Sequence, residues 1–226
     1  MDINWGINEA NLKRKFDEYN EDNYEVVNEE KKYKRAKVVT MDDRRIYRNG
    51  NEVHFNTAIN KDTIERLIKK INSVIKKNED QYKDTDKTLK ITYLVSSPGG
   101  SVDATLKFVD FIRLCKKKHN YVEFTSIATG GIASGATILS VIADRRLITQ
   151  NSYAMIHQLS SGTSGKFNEI HSYTKHLLNA HNALIDIYHQ GCKGKNTKEQ
   201  IEKWLTNESW FTSKEYLQYG FVDEII

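Results

Sequence analysis

The chain has 226 residues, 38% of them hydrophobic and 28% charged, with a formal net charge of +4. That is enough for one well-buried domain with an appendage, and too little positive charge for charge alone to argue a nucleic-acid partner. Two separated cysteines, Cys115 and Cys192, do not make a disulfide framework or a thiolate zinc site, and the longest nearly apolar stretch, IASGATILSVIA, is too short to span a bilayer.

Residues 1–42 are rich in both charge signs, poor in aliphatics, and contain the basic run KKYKRAK. Such a segment buries little surface and is expected to be disordered or a set of solvated helices. The start of the chain has no apolar core of the kind a secretory signal carries, so the expected setting is the cytoplasm of a bacterial or virus-infected cell. A second domain is expected over 43–226.

There, IYRNGNEVHF places Asn49-Gly50 between two β-prone pieces, a hairpin signal. KDTIERLIKKINSVIKK puts Ile64, Leu67, Ile68, Ile71, Val74 and Ile75 on one helical face. A polar loop over 78–88 is expected next, then a buried strand, LKITYLV. Residues 101–118 read as a helix with lysines at its C-terminus, 122–129 as a strand and 133–144 as a helix. RRLITQ and YAMIHQ are short strands on either side of a turn at Asn151-Ser152. Amphipathic helices follow over 167–190 and 197–206. Thr212 to Glu215 form a capping box, and FVDEII closes as a strand. Alternation of strands and helices predicts an α/β fold whose site lies at loops leaving the carboxyl ends of strands.

Two such loops stand out, SSPGG and TGGIASG. Glycine pairs after a buried strand turn the backbone tightly and leave N–H groups pointing outward, which suits an anion. Neither GxxxxGK[ST] nor GxGxxG occurs, which argues against a nucleotide phosphate. An oxyanion formed during acyl transfer is the other candidate. Ser134, at a strand-to-helix junction, is either a helix N-cap or a nucleophile favoured by the helix dipole. His157, at the end of an apolar strand, is either structural or the base such a serine needs. His171, His176 and His181 recur at every fifth position, which rotates successive side chains by about 140° around a helix, so they do not form a shared metal site.

VSSPGGSV, TGGIASGA, SYAMIHQ and the terminal SKEYLQYGFVDEI, in this order, resemble the Clp protease proteolytic subunit family, ClpP. The resemblance covers about 44–226, and MIHQ places it on the serine-peptidase branch of the ClpP/crotonase superfamily. It implies a superhelix of strand–strand–helix units with a long protruding handle helix over 167–190. It makes Ser134 the nucleophile and His157 the general base, with the N–H groups of Gly100 (or Gly99) and Gly135 as the oxyanion hole. Ser101, Val102 and Asp103 on one side, and Gln158, Leu159 and Ser160 on the other, would pair with an extended substrate backbone.

The sequence departs from the family where the triad aspartate is expected. The stretch reads TNESWFTSKE, and the position falls on Glu208 counted from the preceding helix or on Ser209 counted back from Phe211. Glu208 is the better candidate, because a carboxylate can orient His157 and stabilise the imidazolium. Gly135 also stands where the family usually has methionine, which leaves backbone donation intact. The wording around Glu208 is closer to phage-type members, and the charged extension does not match the family's N-terminal segment.

The implied function is endopeptidase cleavage of extended or unfolded polypeptides through an acyl-enzyme, with no cofactor. Self-association into heptameric or double-heptameric rings is implied, and an AAA+ unfoldase partner is possible. Alternatives are a catalytically impaired structural or regulatory subunit, a phage prohead protease, and, as a minor one, a crotonase-type acyl-CoA enzyme.

Overall fold

The computed structural model describes residues 45–226; the charged extension over 1–42 and its boundary lie outside the described residues. The hairpin forms where Asn49-Gly50 predicts it, with β1 (Ile46–Asn49) antiparallel to β2 (Glu52–Phe55). Asn60 then caps α1 (Lys61–Tyr82): its side chain accepts from the Thr63 N–H while Thr63 accepts from the Asn60 N–H. Ile64, Leu67, Ile71, Val74 and Ile75 of α1 are buried as the periodicity requires, and Ile68 sits at the edge of the same face. The helix runs on through Tyr82, into the stretch expected to be a loop. No proline or glycine stops it there, and its polar side chains stay solvated.

β3 (Leu89–Ser97) buries Leu89, Ile91, Tyr93, Val95 and Ser97 in strict alternation. α2 (Val102–Lys118) returns the chain to β4 (Val122–Ala133), which runs parallel to β3. Lysines at 116–118 close α2 and complement its dipole, and Lys116 pairs with Asp144.

β4 is longer than predicted, and its extension positions the site. Val95 pairs with Ala128 and Ser97 with Ile132, so two steps along β3 span four along β4. The extra residues form an irregularity at Thr129-Gly130, where Gly130 has φ +63°. Before it, β4 pairs with β5 (Arg145–Ile148); after it, with β6 (Tyr153–Ile156). Thr-Gly-Gly reads locally as a turn, and only the partner strand β6 makes its second half a strand. The helix that follows, α3 (Gly135–Val141), is correspondingly shorter than expected. So short a helix has little stability of its own, and its carbonyls are met from the sheet: Tyr93 Oη donates to Leu139 O (2.8 Å) and Ser126 Oγ to Ser140 O (2.7 Å).

The chain continues through α4 (Phe167–Gly191), α5 (Lys198–Thr206), β7 (Ser209–Thr212), α6 (Ser213–Gln218) and β8 (Glu224–Ile225). The capping box at Thr212 and Glu215 is present. The sheet order is β1-β2-β3-β4-β5-β8, with β6 on β4 and β7 antiparallel to β6. β7 is a strand that the sequence did not announce, since SWFT is too short to show alternation. α4 buries only Leu184, Ile185, Ile187 and Tyr188, near its C-terminal end, and leaves Phe167 and Leu178 exposed. This is the α/β architecture expected, with a long helix that leaves the core. No helix among the described residues is long and apolar enough to cross a membrane.

Candidate active site

β4 delivers Ser134 to the start of α3 with φ 55° and ψ −129°. A β-carbon is strained in that region, and a serine persists there only where its surroundings over-determine it. Ser134 occupies the N-cap position, yet its hydroxyl makes no capping bond. The alternative of an ordinary N-cap is therefore not what the geometry presents. The backbone is held instead: Ser134 N–H donates to Met155 O at 2.8 Å, tying the turn to β6.

The SSPGG loop packs directly on this turn. A β-carbon built on Gly99, whose φ is +87°, would lie 2.5 Å from Ala133 O and 2.6 Å from Ser134 Cβ, so only glycine fits. Gly99 donates its N–H to Ser97 Oγ (3.1 Å) and its carbonyl accepts from Ile59 N–H (2.7 Å). Gly100 forms a parallel bridge with Ile59. Its flanking groups make those bonds, so its own N–H points away from Ile59. Among the described residues no acceptor is recorded for the N–H of Gly100 or Gly135.

His157 follows β6 directly and is half-buried. The next residue anchors it, Gln158 N–H donating to Leu205 O at 2.7 Å. Ser134, His157, Gly100, Gly135, Val102 and Leu159 line one cleft, together with Leu184 and Tyr188 of α4. The serine and histidine share this cleft without being hydrogen-bonded to each other. Such bonds are often long in an unliganded site and shorten when substrate displaces water.

The two positions for the triad acid differ sharply. Ser209 pairs with Ile156 across β6 and β7, and its hydroxyl donates to Trp204 O at 3.0 Å. The ladder ends there, and His157 and Glu208 are the next residues of the two segments beyond it. Glu208 is exposed and has φ +51°. Of four non-glycine residues with positive φ among those described, two are Ser134 and Glu208.

The expected substrate edge beside Gly100 runs into a helix. Ser101 is the N-cap of α2, accepting from Ala104 N–H, and Val102 and Asp103 form its first helical turn. Helical residues cannot offer an extended edge, so on this side the edge ends at Gly100-Ser101. Gln158, Leu159 and Ser160 are neither helix nor strand, and Leu159 lines the cleft. Both cysteines are buried and free; burial pushes the Cys115 thiol up to about 11, consistent with an inert structural role. Thr137, which bonds Ser134 O, and Tyr188, which bonds Thr137, are not singled out by the sequence, and their only local signal is a hydroxyl in an otherwise apolar face.

A strained, uncapped serine sharing a cleft with a histidine and two glycine turns is the arrangement of a serine peptidase. Residues 49–226 match the Clp protease family model. An ATP-dependent Clp protease proteolytic subunit 1 from Protochlamydia amoebophila is 36% identical over 146 residues, 63% of this chain and 68% of the relative. A subunit of the same name from Chlamydia trachomatis is 30% identical over 140 residues, 60% of this chain and 69% of its own. An ATP-dependent Clp protease proteolytic subunit from Streptococcus pyogenes is 34% identical over 145 residues, 62% and 70%. The chain belongs to the Clp protease family, and with it to the serine endopeptidases.

Proposed function

We propose that residues 43–226 form a serine endopeptidase domain, joined to a charged extension over 1–42, that cleaves extended polypeptides within an oligomeric chamber. The observation that carries the reading is the backbone of Ser134, held at positive φ with its hydroxyl uncommitted in the cleft that His157 shares. Ser134 Oγ attacks the scissile carbonyl while His157 takes its proton. The oxyanion is met by the N–H of Gly135 and by the Gly99-Gly100 turn, where the Gly100 N–H is free and the Gly99 N–H is held by Ser97. His157 returns the proton to the leaving amine, and water then hydrolyses the acyl-enzyme. Because the edges beside the cleft offer main chain, sequence specificity is expected to be broad.

Glu208 is proposed as the acid, because Glu208 and His157 directly flank the last pair of the β6–β7 ladder, Ile156 and Ser209, and because the Ser209 hydroxyl is committed to Trp204. Glu208→Gln should lower kcat on a fluorogenic peptide by about 10²-fold or more, because the imidazolium loses its carboxylate. Ser209→Ala should stay within about twofold of wild type, a change of the size expected away from the chemistry. If both variants keep wild-type kcat, the triad has no acid at this position.

The unjoined Ser134 and His157 and the exposed Glu208 favour a second reading, a catalytically impaired subunit of the same architecture. Hydrolysis of unfolded casein by the assembled protein decides between the two. Steady turnover supports the peptidase, and its absence from a folded oligomer supports the impaired subunit.

The chamber is proposed from family membership and from α4, which presents Phe167, Ile170 and Leu178 to solvent as apolar surface for a second copy. Native mass spectrometry is expected to show rings built on seven chains, and a monomer at working concentration would remove the chamber. An AAA+ unfoldase as partner and a cytoplasmic setting belong to the same proposal.

A further inference from the structure

We infer that Thr137 and Tyr188 are positioning residues for Ser134, a buried relay of two hydroxyls that runs from α4 to the nucleophile turn and aims the Gly135 N–H; this rests on the reading of Ser134 as nucleophile.

The Ser134 carbonyl accepts twice from one residue, from Thr137 N–H at 3.0 Å and from Thr137 Oγ1 at 2.5 Å. A threonine hydroxyl has a single proton. Since it goes to Ser134 O, the 2.6 Å contact between Thr137 Oγ1 and Tyr188 Oη must carry the tyrosine's proton. The direction of the relay is therefore Tyr188 to Thr137 to Ser134. Thr137 is fully buried and Tyr188 nearly so. Burial raises the Tyr188 pKa, which keeps the phenol protonated and able to donate. Its ring is fixed edge-on against Phe221, with centroids 5.9 Å apart and planes at 86°.

The reason this matters for chemistry lies in one peptide plane. The Ser134 carbonyl and the Gly135 N–H belong to the same rigid unit and point in opposite directions. Fixing the carbonyl on Thr137 therefore fixes where the Gly135 N–H points. Together with the Ser134 N–H bond to Met155 O, both peptide planes flanking the nucleophile are held. A serine at φ 55° needs such bonds to stay there. Glycine at 135 adds no side chain of its own to hold the turn, which leaves the task to Thr137 and Tyr188.

The relay predicts a loss in kcat, not in substrate affinity, because an oxyanion donor acts in the transition state. With a short fluorogenic peptide, Thr137→Val and Tyr188→Phe should each lower kcat about tenfold, the worth of one buried hydrogen bond, with KM within about twofold. The double variant should lose little more than either single one, since both cut the same relay. Thr137→Ser keeps the hydroxyl and should restore wild-type kcat. Hydrogen exchange at the Ser134 and Thr137 amides, which bond Met155 O and Ser134 O, reads the same turn without catalysis. It should quicken about tenfold in Tyr188→Phe and in Thr137→Val and return in Thr137→Ser. Failure of wild type to turn over peptide would sink the proposed function and leave exchange to judge the relay. The relay is overturned by unchanged exchange in both variants, by unchanged kcat in an active protein, or by single effects that multiply independently.

Discussion

A Ser134→Ala protein is expected to fold as wild type does and to hydrolyse peptides at least about 10⁴-fold more slowly, measured as kcat with a fluorogenic substrate. The loss is large because the other hydroxyls lining the cleft, those of Thr105 and Tyr188, are committed to Ser101 O and Thr137. His157 can still activate water, and the Gly135 and Gly100 N–H groups can still stabilise an oxyanion, which sets the residual rate. Folding should be spared because the Ser134 hydroxyl makes no hydrogen bond that alanine would lose. Alanine also meets the same backbone restriction as serine at φ 55°. Stability should therefore stay within about 0.5 kcal/mol of wild type. An alanine protein that fails to fold would mean that the turn depends on the hydroxyl, contrary to the geometry.

The largest effect on stability is expected far from the cleft. Arg146, on β5, is 2% exposed and bonds three residues, Asp223, Gly220 and Gly191. Its Nε and Nη2 donate to the Asp223 carboxylate at 3.1 and 2.6 Å, and its backbone N–H donates there at 3.0 Å. Its Nη1 donates to Gly220 O at 3.0 Å and also to Gly191 O at the end of α4. Arg146→Met fills most of the volume but leaves two carbonyls and a carboxylate without these donors. Removing one partner of a buried pair typically costs about 3–5 kcal/mol, and a domain of this size should lose about 10 °C in Tm or more. A shift of a degree or two would show that Lys193, which also bonds Asp223 at 2.8 Å, carries the site instead.

Asp223 gives the same clamp a pH signature. Burial alone would raise its pKa, but hydrogen bonds from Arg146 and Lys193 outweigh that and hold the carboxyl well below the usual carboxylate range. A depressed pKa means a contribution that is complete above the unfolded value of about 4 and is lost as pH falls through the lower folded value. Wild type should therefore lose stability in acid below about pH 4, and Arg146→Met should show a flatter acid limb. Chemical denaturation at pH 7 and pH 3 reads both.

How far the sequence reached depended on the range of the interactions involved. The β1–β2 hairpin, the buried face of α1 and the capping box at Thr212 rest on neighbours within a few positions, and each was legible. The extension of β4 to Ala133 and the strand β7 rest on β6, a partner set by tertiary packing, and neither had a local signal. The same division runs through the site. The glycine turns, Ser134 and His157 could be picked out because their order along the chain is specific. The positive φ of Ser134, the β6–β7 pairing that ends beside His157 and Glu208, and the helical state of Val102 and Asp103 appear only once the strands are placed. The Tyr188–Thr137 contact joins residues that no sequence spacing relates.

The central claim, that Ser134 is an activated nucleophile, is tested most directly by a fluorophosphonate probe followed by intact mass and peptide mapping. The folded, assembled protein should gain one adduct per chain, on Ser134, and Ser134→Ala should gain none. No adduct on the assembled protein, or an adduct on Ser96, Ser97 or Ser101 of the glycine loop, would contradict it.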